Sequence, residues 1–292
     1  MWYTSDFADY ELIDTSDGER LERWKDIILI RPDPQIIWKG AKTSPLWKSA
    51  NARYIRSSKG GGAWDVMNLG EDELNRGWNI ERKGLCFCVR PTGFKHTGVF
   101  PEQAVNWDFI SDKIKGAGRS VSVLNLFGYT GGATLAAAKA GASVCHVDAS
   151  KGIVAWAKEN AALSGLSDAP IRYIVDDCKK FIEREIRRGH KYDAIIMDPP
   201  SYGRGPGGEV WKLEDDIDNL VKLTALLISE DPLFVLINSY TAGLSASTVG
   251  YILELNIKKK YGGSVQSDEI GLPVTETGAV LPSGSSARWE KT

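Results

Sequence analysis

Apolar residues fall into two regimes along the chain. Up to residue 95 they come in short bursts: Glu11-Leu-Ile-Asp14, Leu21-Glu-Arg-Trp24 and Ile27-Ile-Leu-Ile30 read as strands around a turn at Ser16-Asp-Gly18, closed by Pro32 and Pro34. Asn79–Val89 reads as a further strand pair, and helical periodicity is poor throughout. Beyond residue 96 the blocks lengthen and alternate. Trp107, Phe109, Ile110 and Ile114 give a helix over Ala104–Lys115 its apolar face, and Val121, Val123, Leu124, Leu126 and Phe127 form the near-continuous run of a strand covered on both sides. A helical run over Ala133–Ala140 stops at Gly141, and strand Ser143–Val147, helix Ile153–Leu163, strand Ile171–Val175, helix Phe181–Arg188, strand Tyr192–Met197 and strand Pro232–Ile237 follow. The alternation predicts an α/β fold with an open, mostly parallel sheet and helices on both faces. Residues 1–95 are expected to form a β-rich module and 96–292 the α/β domain.

Composition narrows this picture a little. A chain of 292 residues with 42% hydrophobic content has material for about two domains. No apolar run approaches the length of a bilayer span, and the N-terminus lacks the basic and apolar regions of a leader, so a cytoplasmic protein with no membrane partner is expected. The four cysteines, Cys86, Cys88, Cys145 and Cys178, make no C-x-x-C pair, which argues against zinc; no metal is expected. The formal charge of -2 excludes a uniformly basic protein, yet from Pro34 to Trp64 every charged residue is basic. Lys39, Lys42, Lys48, Arg53, Arg56 and Lys59 alternate there with Trp38, Trp47, Tyr54 and Trp64. Cations set among aromatics suit an RNA strand, meeting phosphates and stacking on bases. The plainer alternative is a solvated surface with tryptophans packed beneath it. Ser57–Gly62 reads as a loop in this stretch, able to order on substrate.

Candidate chemistry gathers at strand ends. Phe127-Gly-Tyr-Thr-Gly-Gly132 follows the strongest strand and opens a helix, and Asp148 ends the next strand twenty residues past Gly128. A glycine turn followed by an acid that can accept from both ribose hydroxyls marks a nucleoside cofactor. The spacing is G-x-x-G-G and not the G-x-G-x-x-G that brings backbone N–H groups to a pyrophosphate, which favours a nucleoside without phosphate, such as S-adenosylmethionine. Asp177 is the first choice for the adenine amine, with the Cys178 N–H for a ring nitrogen; Asp176 is the alternative, and one of the two acids is expected to cap the next helix. Gln103, with Glu102, either reaches the amino-acid end of the donor or simply caps a helix.

Asp198-Pro-Pro-Ser-Tyr-Gly203 is the segment most telling for chemistry. Two prolines stiffen the backbone and remove two donors, leaving the Asp198 carboxylate and the Pro199 carbonyl as acceptors for an amino or ring N–H. Tyr202 can stack on a planar base. The stretch Gly203–Asp216, glycine-rich and then carrying Trp211 and Lys212, is expected to act as a lid touching the acceptor.

Val123-Leu-Asn-Leu-Phe-Gly-Tyr-Thr-Gly-Gly132, His146-Val-Asp-Ala-Ser150, Val175-Asp-Asp177 and Met197-Asp-Pro-Pro-Ser-Tyr202 together resemble the class I S-adenosylmethionine-dependent methyltransferases, in particular the bacterial group related to large-subunit ribosomal RNA methyltransferases. Leu21-Glu-Arg-Trp24 and Arg31–Trp38 look like that group's N-terminal β module. The resemblance implies a Rossmann-like sheet of seven strands with the last antiparallel, closed by a hairpin over Gly262–Gly284. It also implies donor contacts from Phe127, Gly128, Tyr129, Thr130, Gly131 and Gly132, ribose binding by Asp148 with Ala149 and Ser150 beside it, adenine binding by Asp177, and substrate positioning by Asp198–Tyr202. Members that methylate carbon 5 of cytosine need a cysteine nucleophile, and Ser201 and Asn238-Ser-Tyr240 stand at the two places for one. A base nitrogen of RNA is therefore the expected target. A small-molecule or protein methyltransferase, and a non-catalytic or NAD-dependent nucleotide-binding protein, are the alternatives.

Overall fold

The structure, a computed structural model, describes residues 1–57, 61–93, 95–204, 210–241 and 243–291. Contacts divide the chain into two compact units, one built from Tyr3–Ala104 with Gly271–Ser283 and the other from Met1–Trp2, Val105–Ile270 and the chain from Gly284 onward.

In the first unit β1 (Tyr10–Ser16), β2 (Glu19–Trp24), β3 (Ile27–Pro32), β4 (Ala52–Arg56) and β5 (Gly62–Val66) form a sheet in chain order, and β6 (Trp78–Arg82) pairs with β7 (Leu85–Val89). The β1–β2 turn has Asp17 and Gly18 both at positive φ, 52° and 76°, the combination that matches strand twist in a two-residue hairpin. Leu21, Trp24 and Leu29 are fully buried, and so is Glu22. Glu22 accepts from Tyr10 Oη at 2.8 Å and from Arg31 at 2.5 and 2.7 Å. Burial opposes its charge, and the Arg31 and Arg20 guanidiniums outweigh that and hold the carboxyl below its usual range. Strands β4 and β5 are absent from the hydrophobic pattern, because Arg53, Ile55 and Arg56 are exposed and only Ala52 and Tyr54 point inward.

The second unit carries the seven-stranded sheet. Its order is β10 (Ile171–Val175), β9 (Ser143–Asp148), β8 (Ser122–Leu126), β11 (Ala194–Met197), β14 (Phe234–Ser239), β16 (Val280–Glu290) and β15 (Ser264–Pro273). The first five are parallel, and β16 runs antiparallel to β14, as the family resemblance implies. Between Tyr202–Arg204, which is β12, and Val210–Lys212, which is β13, the chain makes a small antiparallel pair. Leu124, Ile195, Val235 and Phe181 are fully buried, each worth roughly 1.5–3 kcal/mol of apolar transfer. The chain winds from β8 outward to β10, then returns to lay β11 on the other side of β8. Strand order therefore reverses between β8 and β11, the place where open α/β sheets bind ligands beyond their carboxyl ends.

Candidate cofactor and acceptor site

The glycine turn leaves β8 through two non-glycine residues in the left-handed region, Phe127 at φ 56° and Tyr129 at φ 48°. Gly131, at φ 96°, caps the helix Gly132–Lys139. Gly128 has no room for a side chain: a Cβ there would lie 2.4 Å from His146 Cε1, and one at Gly132 would lie 2.6 Å from Trp107 Cζ2. Backbone bonds from Gly128 N to the Val147 carbonyl and from Gly131 N to the Gly128 carbonyl, both 3.0 Å, close the turn. The buried Asn160 amide donates to the Thr130 carbonyl at 2.9 Å. Phe127 N–H points to Cys178 Sγ at 3.3 Å. Burial pushes that thiol well above the usual cysteine range.

Asp148, at the tip of β9, accepts from Tyr129 N at 3.1 Å on one oxygen and from Ser150 N at 2.9 Å on the other. Each oxygen keeps a second acceptor position, as two ribose hydroxyls require. Burial raises the carboxyl above its ordinary value, against the pull of those two backbone donors. Ala149 is exposed, and Ser150 caps the helix Lys151–Leu163.

Of the two acids after β10 it is Asp177, the first choice for the adenine, that caps the next helix. Asp176 pairs with Arg184 and accepts from Asp177 N at 2.8 Å. Asp177 caps the helix Cys178–Arg188 through Oδ1, which accepts from Lys180 N at 2.9 Å, and its side chain is exposed. That helix starts three residues before the expected Phe181, which places Cys178 in its first turn.

At the end of β11, Asp198 N bonds to the Leu126 carbonyl at 3.4 Å, so the double-proline corner departs beside the glycine turn. Pro199 is buried, Asp198 half-buried and Tyr202 52% exposed. The β12–β13 pair brings Trp211 back onto this corner. Its ring centroid lies 5.8 Å from that of Phe127, and its Nε1 donates to the Pro200 carbonyl at 2.6 Å. Lys212 is exposed and its N–H bonds to Asp216. The glycines between these strands, part of the expected lid, lie outside the described residues.

An adenosyl group fits what is present: a turn whose glycines no side chain can replace, a carboxylate with spare acceptor positions, and a neighbouring strand end bearing acceptors. The sequence matches the family profile described as S-adenosylmethionine-dependent methyltransferase over residues 37–253. The chain belongs to this family. The methyltransferase superposes with a TM-score of 0.91 on the SAM-dependent methyltransferase from Agrobacterium tumefaciens, at 39% identity over 99% of this chain and 93% of that one. A Streptococcus mutans structure, 19% identical with a TM-score of 0.74 over 98% and 76% of the two chains, shares the fold. Among curated proteins, the ribosomal RNA large subunit methyltransferase K/L of Shewanella frigidimarina is 38% identical over 149 residues, 49% of this chain and 20% of that protein. The chain spans about a fifth of the length of such relatives. The cofactor of the methyltransferase is S-adenosylmethionine, and no helix among the described residues is long and apolar enough to cross a membrane.

The remaining expected site residues sit in the first unit. Gln103 is buried in the short turn Pro101–Gln103 that leads into helix Ala104–Gly116. Trp47 is a correction: it is buried, with Nε1 donating to Asp14 Oδ2 at 2.7 Å, and cannot stack on a base. The stretch that looked purely basic is partly neutralised, because Glu19 pairs with Lys42 at 2.6 Å and Arg53 at 2.7 Å, and Asp65 faces Arg53 across β4–β5. Tyr54 and Trp64 pack edge to face at 5.5 Å and donate to the Gly93 and Thr92 carbonyls. Trp38, 43% exposed, and Arg56 face solvent, and Lys59 lies outside the described residues. Sequence reasoning missed Asn125, Thr134, His146 and Asn160, all buried around the turn. A lone asparagine inside the apolar run of β8 was the available signal.

Proposed function

We propose that this methyltransferase modifies a base nitrogen of RNA, with ribosomal RNA as the substrate. The observation that carries the reading is the Asp198-Pro-Pro corner beside the glycine turn, followed by the exposed Tyr202. When bound, the donor supplies a methyl already activated by a sulfonium centre. What remains for the protein is to present a nitrogen in line and accept its proton. The Asp198 carboxylate and Pro199 carbonyl are acceptors for the N–H of an amine or ring, and Tyr202 offers a face for the base. Phe127 to Gly132 would cradle the donor, Asp148 its ribose, and Asp177 with the Cys178 N–H its adenine. The cysteines support nitrogen over carbon: all four are buried, and burial raises the thiol nearest the turn, Cys178, so no ready thiolate stands at the corner. The names of the Shewanella relatives support ribosomal RNA, and such a substrate fits a cytoplasmic enzyme.

A second reading, a small-molecule or protein acceptor, draws support from the burial of Trp47 and from Glu19 holding Lys42 and Arg53. Transfer of labelled methyl from S-adenosylmethionine to total RNA, followed by nucleoside mass analysis, separates the two. An N-methylated base is expected. Label confined to protein or small molecules, or recovered as 5-methylcytosine, overturns the RNA-nitrogen reading.

A further inference from the structure

Beneath the glycine turn lies a polar chain that neither the acceptor chemistry nor the ribose contact uses. Asn125 Nδ2 donates to Thr134 Oγ1 at 2.8 Å, and Thr134 Oγ1 meets His146 Nδ1 at 2.8 Å. All three side chains are at most 2% exposed. Asn125 and His146 face one another in the β8–β9 register, and Thr134 reaches them from the helix that the turn opens. The hydroxyl can donate to His146 Nδ1 or accept from it according to the ring tautomer, and Nε2 has no hydrogen-bond partner among the described residues. Burial keeps the imidazole neutral, with its pKa lowered to about 4.

The ring presses on Gly128. A Cβ there would meet Cε1 at 2.4 Å and Nδ1 at 2.5 Å, so that edge of the imidazole fills the volume under the turn. Phe127 and Tyr129, on either side of Gly128, hold left-handed conformations that side chains rarely adopt and that persist only where the surroundings over-determine them. An apolar wedge of the same size would fill the space more cheaply, since burying polar groups is unfavourable unless they are bonded. What the hydroxyl adds is a fixed ring rotation.

We propose that Thr134 and His146 are positioning residues for the methyl donor: the hydroxyl locks the neutral imidazole in one orientation, and the imidazole holds Phe127-Gly128-Tyr129 in the shape that receives the adenosyl group. The inference rests on the reading of this turn as the donor site. Thr134→Val keeps the shape of the side chain and removes both bonds; Thr134→Ser keeps the hydroxyl. Calorimetry with S-adenosylhomocysteine, well below the melting temperature, is expected to give a dissociation constant raised about 10-fold or more in Thr134→Val and within threefold of wild type in Thr134→Ser. At saturating donor, kcat of Thr134→Val is expected to stay within about twofold of wild type, since the acceptor corner is untouched. A melting temperature lowered in Thr134→Val with an unchanged dissociation constant makes the chain merely structural and overturns the proposal. Wild type that fails to bind S-adenosylhomocysteine overturns instead the reading of the turn. Should Thr134→Val not fold, nitrogen NMR of the wild type decides: the His146 resonances are expected to report a single neutral tautomer and to move on adding S-adenosylhomocysteine. Resonances averaged between the two tautomers, or indifferent to the ligand, sink the idea.

Discussion

Trp211 Nε1 donates to the Pro200 carbonyl at 2.6 Å while the same indole packs beside Phe127. One side chain thus touches both the proposed acceptor corner and the proposed donor turn. Trp211→Phe keeps a ring against Phe127 and removes a hydrogen bond of about 1 kcal/mol. If RNA is the substrate, its kcat/KM for RNA is expected to fall about 5- to 10-fold with the affinity for S-adenosylhomocysteine within twofold of wild type, whereas Trp211→Ala weakens both. Steady-state kinetics beside calorimetry checks the split, and equal losses in the two variants would contradict it.

Asp148 gives a prediction with a pH sign. Its folded carboxyl is raised, so the ionised form, the one that would accept from ribose hydroxyls in the proposed site, is reached only above the ordinary aspartate range. Cofactor affinity should strengthen as pH rises through that raised value and level off above it. Stability carries the opposite sign: the contribution of this group is present below the ordinary value and lost as pH rises through the raised one. Asp148→Asn should raise the dissociation constant about 10- to 100-fold at pH 7 and flatten its pH dependence. A titration of affinity against pH in both proteins settles the matter.

Gly128→Ala should be costly for a reason that can be relieved. The added methyl collides with the His146 ring, and overpacking of this kind costs about 1–3 kcal/mol. Pairing it with His146→Ala removes the obstacle, so the two losses should be less than additive. Urea denaturation of the four proteins in the cycle gives the coupling, and strict additivity would mean that the collision carries no energy.

His146 should also shape the acid limb of stability. Its pKa is about 4 folded and near 6.5 in an ordinary setting, so between those values the unfolded chain binds more protons. Stability therefore rises with pH across that window, by on the order of 3 kcal/mol, and is full above it. Urea midpoints from pH 4.5 to 7 should show the slope, and His146→Gln should reduce it.

If RNA is the substrate, Arg53→Glu with Arg56→Glu should weaken RNA binding and flatten its dependence on salt, by roughly one unit of log–log slope for each phosphate left without its cation. Affinity for S-adenosylhomocysteine should not change. Filter binding at several salt concentrations reads the first effect and calorimetry the second, and unaltered RNA affinity would favour the small-molecule or protein acceptor.

The centre of the sheet was legible because burial on both faces leaves a plain trace: β8, β9, β11 and β14 all coincide with apolar runs, and Asp148 and Asp198 stand at the ends where the pattern puts them. Strands β4 and β5 were not legible, since a sheet with one face in solvent spreads Arg53, Ile55 and Arg56 through the pattern and leaves too few inward residues to count. Trp47 was misplaced because sequence neighbours say nothing of a buried acid 33 residues away, Asp14. Nor could spacing show that Glu19 would answer Lys42 and Arg53. The chain Asn125–Thr134–His146 escaped for a related reason: each residue is ordinary in its own element, and only the parallel register of β8 and β9 brings them together.

The segment Gly271–Ser283 has a practical consequence for anyone wishing to dissect the enzyme. Thr275 and Glu276 donate through their backbone to the Leu12 and Ile13 carbonyls, so the far end of the chain is stitched to its first strand. A truncation starting at Val105 would keep the tip of that late loop and discard what it is sewn to, leaving frayed amides and the side chains of Leu272 and Val274 in water. Fragments cut by residue order should aggregate. A version that also shortens the tip is the one to express.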